Sequence, residues 1–331
     1  GDVAIHLQGW AGLATVRREA TRGTDHVLRL TGLRPGTGYS YILLADGGAL
    51  APDAVFHTAP PPGAATPFRF LVWGDSGCGC PPQLAVAAQM AQTHPDLLLH
   101  TGDMIYENGE AALYDPRFFS PYSPTLATAP IYPAVGNHDD LTNQGDPWLQ
   151  TFFLPGDPGT HTTRYYAFNY GNAHFIALDS EEAFDPTSAQ YSWLLADLAS
   201  PAAQTATWRF AFFHQPPYSS GYGHGSSYML RETWSPLFER YGVDVVFSGH
   251  EHNYERTTPR RDYTAVGGTH PVVYIVTGGG GQQLYNVGHQ SWTAYADMIY
   301  HFVQVQVDGP RLTLEAISAD GQVVDQLALN R

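Results

Sequence analysis

Lysine is missing from this chain. All sixteen bases among its 331 residues are arginine, which excludes any mechanism that needs a Schiff-base or P-loop lysine. Positive charge is scarce as well: 31 acids leave a net charge of −15, which argues against nucleic acid or an anionic membrane surface as the principal partner. No apolar run approaches the ~18 residues that a membrane helix needs, and no charged-then-apolar signal segment opens the sequence. The start at Gly1 is what removal of a signal segment leaves, and equally what trimming leaves. Cysteine occurs twice, too rarely to decide the redox compartment, because a protein this long needs no disulfide framework. Low-complexity tracts are absent too. What is present, 43% hydrophobic residues, 13% aromatics, 34 Gly and 25 Pro, describes a loop-rich globular chain with much β-structure. Its length makes two domains the natural expectation.

Residues 1–60 carry short alternating runs, VAIHLQ, ATVRREA, HVLRLTGL, YSYILLA and AVFHTA, separated by Gly, Thr, Asp and Pro. They predict a small antiparallel β-sandwich. The string LTGLRPGTGYSYILL closing in VFHTAPP resembles a fibronectin type III repeat, shorter than the usual ~100 residues of such sandwiches. The proline-rich APPPGAATP, Ala59–Pro67, is a stiff connector and places the boundary between residues 1–62 and 63–331.

From Phe68 the pattern changes. Apolar runs end abruptly in glycine and polar residues, FRFLVWGD, DLLLHTGD, IYPAVGNHDD, WRFAFFHQ and VDVVFSGHEH, and alternate with helical stretches. PPQLAVAAQMAQTH, SAQYSWLLADLAS and YMLRETWSPLFERYG read as helices. Strand pairs are expected near RYYAFNYGNAHFIALDS and after Pro271. The Gly-rich TGGGG at 277–281 is followed by Gln, which does not suit a P-loop.

Each of those five runs delivers ligand-type side chains at its C-terminal end: Asp75, Asp103, Asn137, His214, and His250 with His252. In open α/β sheets that edge is where ligands bind. One Asp or Asn after a strand is ordinary turn chemistry; five convergent polar ends predict one site. Carboxylate and amide oxygens beside imidazoles suit transition metals better than calcium. Two metals ~3.5–4 Å apart need a bridging ligand, a role for a carboxylate such as Asp103. His250 and His252, two apart, would share a face of an extended strand; serving different ions requires divergence, which Gly249 and the strand-to-loop transition allow. Of the fifteen histidines, ten, among them His6, His57 and His289, read as ordinary polar residues.

GDSG (74–77), GDMIY (102–106), GNHD (136–139), His214 in AFFHQ, and GHEH (249–252) resemble, in order, the five-block signature of purple acid phosphatases within the calcineurin-like metallophosphoesterases. The likeness runs from about Phe68 to the end, and implies a four-layer α/β/β/α sandwich domain preceded by the small all-β domain. Most of that superfamily carries Asp-x-His in the first block, whereas Gly77 stands here. The resemblance therefore implies that Tyr106 supplies a phenolate instead. It gives a ferric site of Asp75, Asp103, Tyr106 and His252, and a second site of Asp103, Asn137, His214 and His250 for Fe2+, Zn2+ or Mn2+. Tyr106 as a plain core tyrosine is the alternative.

Such a centre would hydrolyse phosphate monoesters by attack of a hydroxide made available on the metals. His138, next to Asn137, is expected to bind phosphate or protonate the leaving group, with Asp139 orienting it. His224, in a Gly- and Tyr-rich loop, is expected to do the same, although the family often has two adjacent histidines there. Tyr218 and Tyr222 are candidates for contact with the substrate's organic portion; Glu255 and Arg256 are expected to pair structurally. With one residue between them, Cys78 and Cys80 would close a small strained ring, so a mutual disulfide is not favoured; soft thiolates match a ferric site poorly, and both read as small loop residues. The partner expected is a small-molecule phosphate ester, with neither nucleic acid nor membrane, and the location secreted or periplasmic. A phosphodiesterase or phytase using the same centre, and an adhesion protein with an inactive metal domain, are the other readings.

Overall fold

The computed structural model describes residues 3–9, 14–19, 26–46, 48–50, 53–156 and 162–331. The N-terminal part forms one antiparallel sheet of β1 (Val3–Gly9), β2 (Ala14–Glu19), β3 (Gly38–Ala45), β4 (Gly48–Ala49) and β5 (Ala54–His57). β1 pairs with both β2 and β3, and β5 lies along β3. HVLRLTGL, read above as a strand, carries no strand pairing among the described residues; an alternating pattern does not by itself supply a partner edge. A second sheet facing the first is not found among the described residues. The sheet is tied to the rest of the chain by Tyr41, whose Oη donates to the Ala127 carbonyl at 2.7 Å. The connector is docked rather than free, its Gly63 N–H donating to Gly171 O at 2.7 Å.

Beyond it come β6 (Phe68–Trp73), α1 (Pro81–Met90), β7 (Leu97–His100), α2 (Ser120–Leu126), β8 (Ile131–Pro133), α3 (Asn137–Asp140), α4 (Asp146–Thr151), β9 (Tyr166–Tyr170) and β10 (Ala173–Ala177). They are followed by α5 (Ala189–Leu198), α6 (Pro201–Thr205), β11 (Trp208–Phe212), α7 (Tyr228–Tyr241), β12 (Val245–Ser248), β13 (Tyr254–Thr257), β14 (Val273–Thr277), β15 (Thr293–Asp297), β16 (His301–Asp308), β17 (Arg311–Ser318) and β18 (Val323–Asn330). All five apolar runs and all three helical stretches of the sequence reading are present. The strands make two mixed sheets, ordered β18-β17-β16-β6-β7-β8 and β15-β13-β14-β12-β11-β10-β9.

Why these runs are apolar throughout follows from where their two faces go. Along β6, Phe68, Phe70 and Val72 enter the core between the sheets with Leu97 and Leu99 of β7; Leu71, Trp73 and Leu98 enter a second core beneath α1 and α2. Along β11 and β12, Phe210, Phe212, Val245 and Phe247 face the shared core, while Ala211, Phe213 and Val246 pack under α5 and α7. Helix, sheet, sheet and helix are thus stacked in layers, and a strand covered on both faces shows no polar alternation. β6∥β7∥β8 and β11∥β12∥β14 are parallel, so their C-terminal ends collect at one rim.

Phe210 sits in the middle of the shared core, its ring 5.0 Å from both Phe70 and Phe175. Phe210→Ala is expected to cost about 3–5 kcal/mol from lost burial and the cavity left behind, read as a lowered urea midpoint.

Candidate metal centre

Six chain segments meet at that rim. Asp75 follows β6, Asp103 follows β7, Asn137 opens α3 after β8, His214 follows β11, and His250 and His252 follow β12. β14 adds the Gly-rich turn, where Gly74 N–H donates to Thr277 O and Gln282 N–H to Asp75 O, both at 3.0 Å. Asp75, Asp103 and His250 take φ of 59°, 56° and 67°, a left-handed conformation costing a non-glycine residue about 1–2 kcal/mol. Three such outliers on three neighbouring strand ends point to function. The positive φ at His250 also supplies the divergence between His250 and His252.

The donors form two groups joined by one carboxylate. Tyr106 Oη lies 2.9 Å from Asp103 Oδ2, 3.2 Å from Asp75 Oδ1 and 3.2 Å from His252 Nε2. On the other side, His214 Nε2 lies 3.4 Å from the same Asp103 oxygen, 3.0 Å from Asn137 Oδ1 and 3.1 Å from His250 Nδ1. Asp75, Asp103 and His214 present ligand atoms all within 4.8 Å of one another. His214 Nδ1 faces the Thr101 carbonyl at 3.0 Å and His252 Nδ1 the Gln283 carbonyl at 2.7 Å. Each ring donates its Nδ1–H outward and turns Nε2 into the site, the orientation of a metal-binding histidine. Asp75 and Asp103 are buried, and among the described residues no arginine pairs with either. Buried carboxylates without an arginine partner, with imidazole Nε2 atoms turned toward them, fit a pair of metal ions.

Electrostatics of the metal-free site run the same way. Burial works against charge on Asp103, but His214 beside it, and then His138, hold its carboxyl below the ordinary range. Burial likewise opposes His214, yet Asp103 and then Asp75 push it up to about 10. Tyr106 is held well above its usual value, first by burial and then by Asp103 and Asp75. His250 falls to about 2 through burial and the neighbouring His214 and His224.

Several residues stand where the sequence reading did not put them. Asp139 does not orient His138. It is the third residue of α3, and its carboxylate reaches back to Gly136 N–H at 3.1 Å and across to Met104 N–H at 2.9 Å and Ile105 N–H at 3.2 Å. It braces two ligand-bearing blocks, as an acid at that helix position commonly does. His138 Nδ1 meets the Glu107 carbonyl at 2.5 Å, and its Nε2 lies 3.9 Å from Asp103 Oδ2. Tyr218 is a core residue, its Oη donating to Asp262 at 2.7 Å, because the loop buries its ring under Trp292; Tyr222 is exposed. Glu255 and Arg256 point to opposite faces of β13: Glu255 accepts from Ser220 Oγ and Thr293 Oγ1, and Arg256 pairs with Asp325 at 2.6 Å. Cys78 and Cys80 are joined by a disulfide. The loop between them is pinned, with Gly79 N–H donating to Gln83 Oε1 at 2.8 Å, Gln83 bonding the Arg117 carbonyl and Arg117 bonding the Tyr106 carbonyl.

Gly77 has a steric reason. A Cβ there would lie 1.7 Å from the Met104 carbonyl oxygen, and Tyr106 N–H donates to Gly77 O at 3.1 Å. The first block therefore lies directly against the second, which carries Tyr106. Residues that reading missed are Glu251, between the two histidines of GHEH; Tyr285, stacked on His252 at 4.2 Å; and His100, bonded to Ser76 Oγ at 3.0 Å behind Asp75. Only Glu251 had a signal, an acid flanked by two ligand-type histidines.

Residues 68–254 match the family model described as calcineurin-like phosphoesterase, and residues 272–326 that described as iron/zinc purple acid phosphatase-like protein C. The chain belongs to the calcineurin-like phosphoesterases. Within them it falls with the purple acid phosphatases, a family that implies a dinuclear metal centre. It is 31% identical to purple acid phosphatase 15 of Arabidopsis thaliana over 80% of this chain and 54% of that one. It is 30% identical to acid phosphatase type 7 of Danio rerio over 92% and 77% respectively. A purple acid phosphatase from yellow lupin (Lupinus luteus) seeds shares the fold, with a TM-score of 0.87 at 24% identity over all of this chain and 69% of that one. This calcineurin-like phosphoesterase thus spans about half the length of the first relative and about three quarters of the second.

Two outcomes are expected. Gly77→Ala is expected to destabilise the protein by about 3 kcal/mol or more and to abolish metal uptake, read by thermal unfolding and metal analysis. In chelated protein, the stability from His214 is complete below its ordinary value of 6.5 and is lost as pH rises through about 10. Its melting temperature should fall across that window. Metal affinity should rise over the same range, since Tyr106 and His214 must shed protons to bind, which a pH-stat titration reads directly.

Proposed function

We propose that the protein is a dinuclear metallophosphatase that hydrolyses phosphate monoesters. The observation that carries this is Asp103 Oδ2, one carboxylate oxygen placed 2.9 Å from Tyr106 Oη and 3.4 Å from His214 Nε2, and so shared by two donor sets. On this reading Asp75, Asp103, Tyr106 and His252 hold Fe3+, the phenolate being a hard donor; Asp103, Asn137, His214 and His250 hold Fe2+, Zn2+ or Mn2+. When bound, the ions lower the pKa of water and offset phosphoryl charge. The chain's own residues do the rest. His138 is partly exposed above Asp103, with its backbone N–H fixed to Asp103 Oδ1 at 2.8 Å, in place to bind a phosphoryl oxygen or hand a proton to the leaving group. His224 lies over His250, its ring stacked on that histidine.

The boundary between residues 1–62 and 63–331 belongs to the same proposal, with the N-terminal sheet as a separate β domain. A secreted or periplasmic location is supported by the disulfide, which persists in oxidising compartments; no helix of the described residues is long and apolar enough to cross a membrane.

The metal-loaded protein is expected to turn over an aryl phosphate monoester faster than its diester; the reverse order assigns it as a phosphodiesterase. Asp103→Ala should lose about 10³-fold or more in kcat, and His138→Ala about 10²–10⁴-fold. Iron-loaded protein should absorb in the visible and Tyr106→Phe should bleach it; activity in colourless, iron-free protein would remove the ferric assignment alone. Inertness toward both ester classes with every metal would favour an adhesion role.

A further inference from the structure

The ring of His224 lies over the second donor set, with its centroid 3.9 Å from that of His250 and the planes 27° apart. Among the described residues, its only other ring contact is the edge of Tyr285 at 5.7 Å. An exposed imidazole on the sequence GYGHG (221–225) has little of its own to hold it there, because glycine leaves the backbone free. Something else must fix the loop.

That something is Glu251. It is buried, and its carboxylate accepts the backbone N–H groups of His224 and Gly225 on Oε1 and that of Gly223 on Oε2 at 3.3 Å. The Asn253 side-chain amide adds a fourth donor at 3.3 Å. Successive N–H groups converging on one anion form a nest, and charge-assisted bonds of this kind are about twice as strong as neutral ones. The loop is shaped to fit: a Cβ on Gly221 would stand 2.1 Å from Glu251 Oε2, and one on Gly223 2.3 Å from the Tyr285 ring. The turn that sends His250 and His252 into the donor sets therefore sends the residue between them the other way, under the loop.

We propose that Glu251 is a positioning residue that holds the 221–225 loop so that His224 meets the substrate over the second donor set. The assignment of His224 to the substrate rests on the phosphatase reading above. A glutamine would keep one acceptor oxygen but turn an NH2 toward N–H donors, so only the carboxylate satisfies all of them.

The test compares metal-loaded wild type with Glu251→Ala, Glu251→Gln, His224→Ala and the Glu251→Ala/His224→Ala double variant, on nitrophenyl phosphate and on an alkyl phosphate. Glu251→Ala is expected to lower kcat about tenfold to a hundredfold, more on the alkyl phosphate because its leaving group depends more on a donor. Metal content should be unchanged, Glu251→Gln intermediate, and the double variant no slower than His224→Ala alone. Amide hydrogen exchange across residues 221–226 should speed up at least about tenfold in the Glu251 variants. Additive losses, loss of metal in step with activity, or wild-type exchange in that segment would overturn the proposal. If wild type hydrolyses no phosphate ester, the phosphatase reading fails, and exchange in Glu251→Gln still decides whether Glu251 holds the loop. Should Glu251→Ala fail to fold, the glutamine variant carries the same comparison.

Discussion

A single buried carboxylate organises this molecule. Asp103 stands between Tyr106 and His214, its second oxygen held by the His138 backbone N–H, with Asp75 close by and no arginine from the described residues to offset either charge. In a low-dielectric rim two such anions are tolerated only with cations or protons around them. The metal-free protein meets that requirement by holding His214 protonated and Tyr106 un-ionised. The dinuclear metal centre that the family implies would meet the same requirement with cations in place of protons.

The architecture serves that requirement. Two sheets share one core, and their parallel strands end at one rim, so ligands far apart in sequence arrive together without long arms. Backbone is brought to the limit of what it tolerates there: left-handed residues at Asp75, Asp103 and His250, and a glycine at 77 because the first and second blocks are in contact. Carbonyls of Thr101 and Gln283 set the ring tautomers, and Asp139 ties α3 to the Asp103 loop. Much of the polar content of the rim thus holds other rim residues in place, which is why Asp139, adjacent to His138 in sequence, acts elsewhere in space.

Sequence reading reached the strands, the major helices and the order of the ligand blocks because each rests on a local pattern. Continuous apolar runs ending in Gly-Asp or Gly-His are visible in ten residues, and Pro at the start of α1 marks a helix without help from the rest of the chain. It failed where the answer depends on what lies opposite. HVLRLTGL alternates like a strand but finds no partner edge. Tyr218 sits in a loop that the fold turns inward. Glu255 and Arg256 alternate across a strand, and so cannot face each other. The Cys78–Cys80 pair depends on the loop path between α1 and Arg117, which spacing does not report.

What the sequence by itself determined is the inventory of donors and the strand ends that carry them, since side-chain chemistry and hydrophobic periodicity are properties of short segments. Tertiary structure alone decided which donors share Asp103, which nitrogen each histidine turns inward, and that Glu251 faces a loop about thirty residues earlier in the chain. Those are distances between segments brought together by the two-sheet core, and no local pattern encodes them.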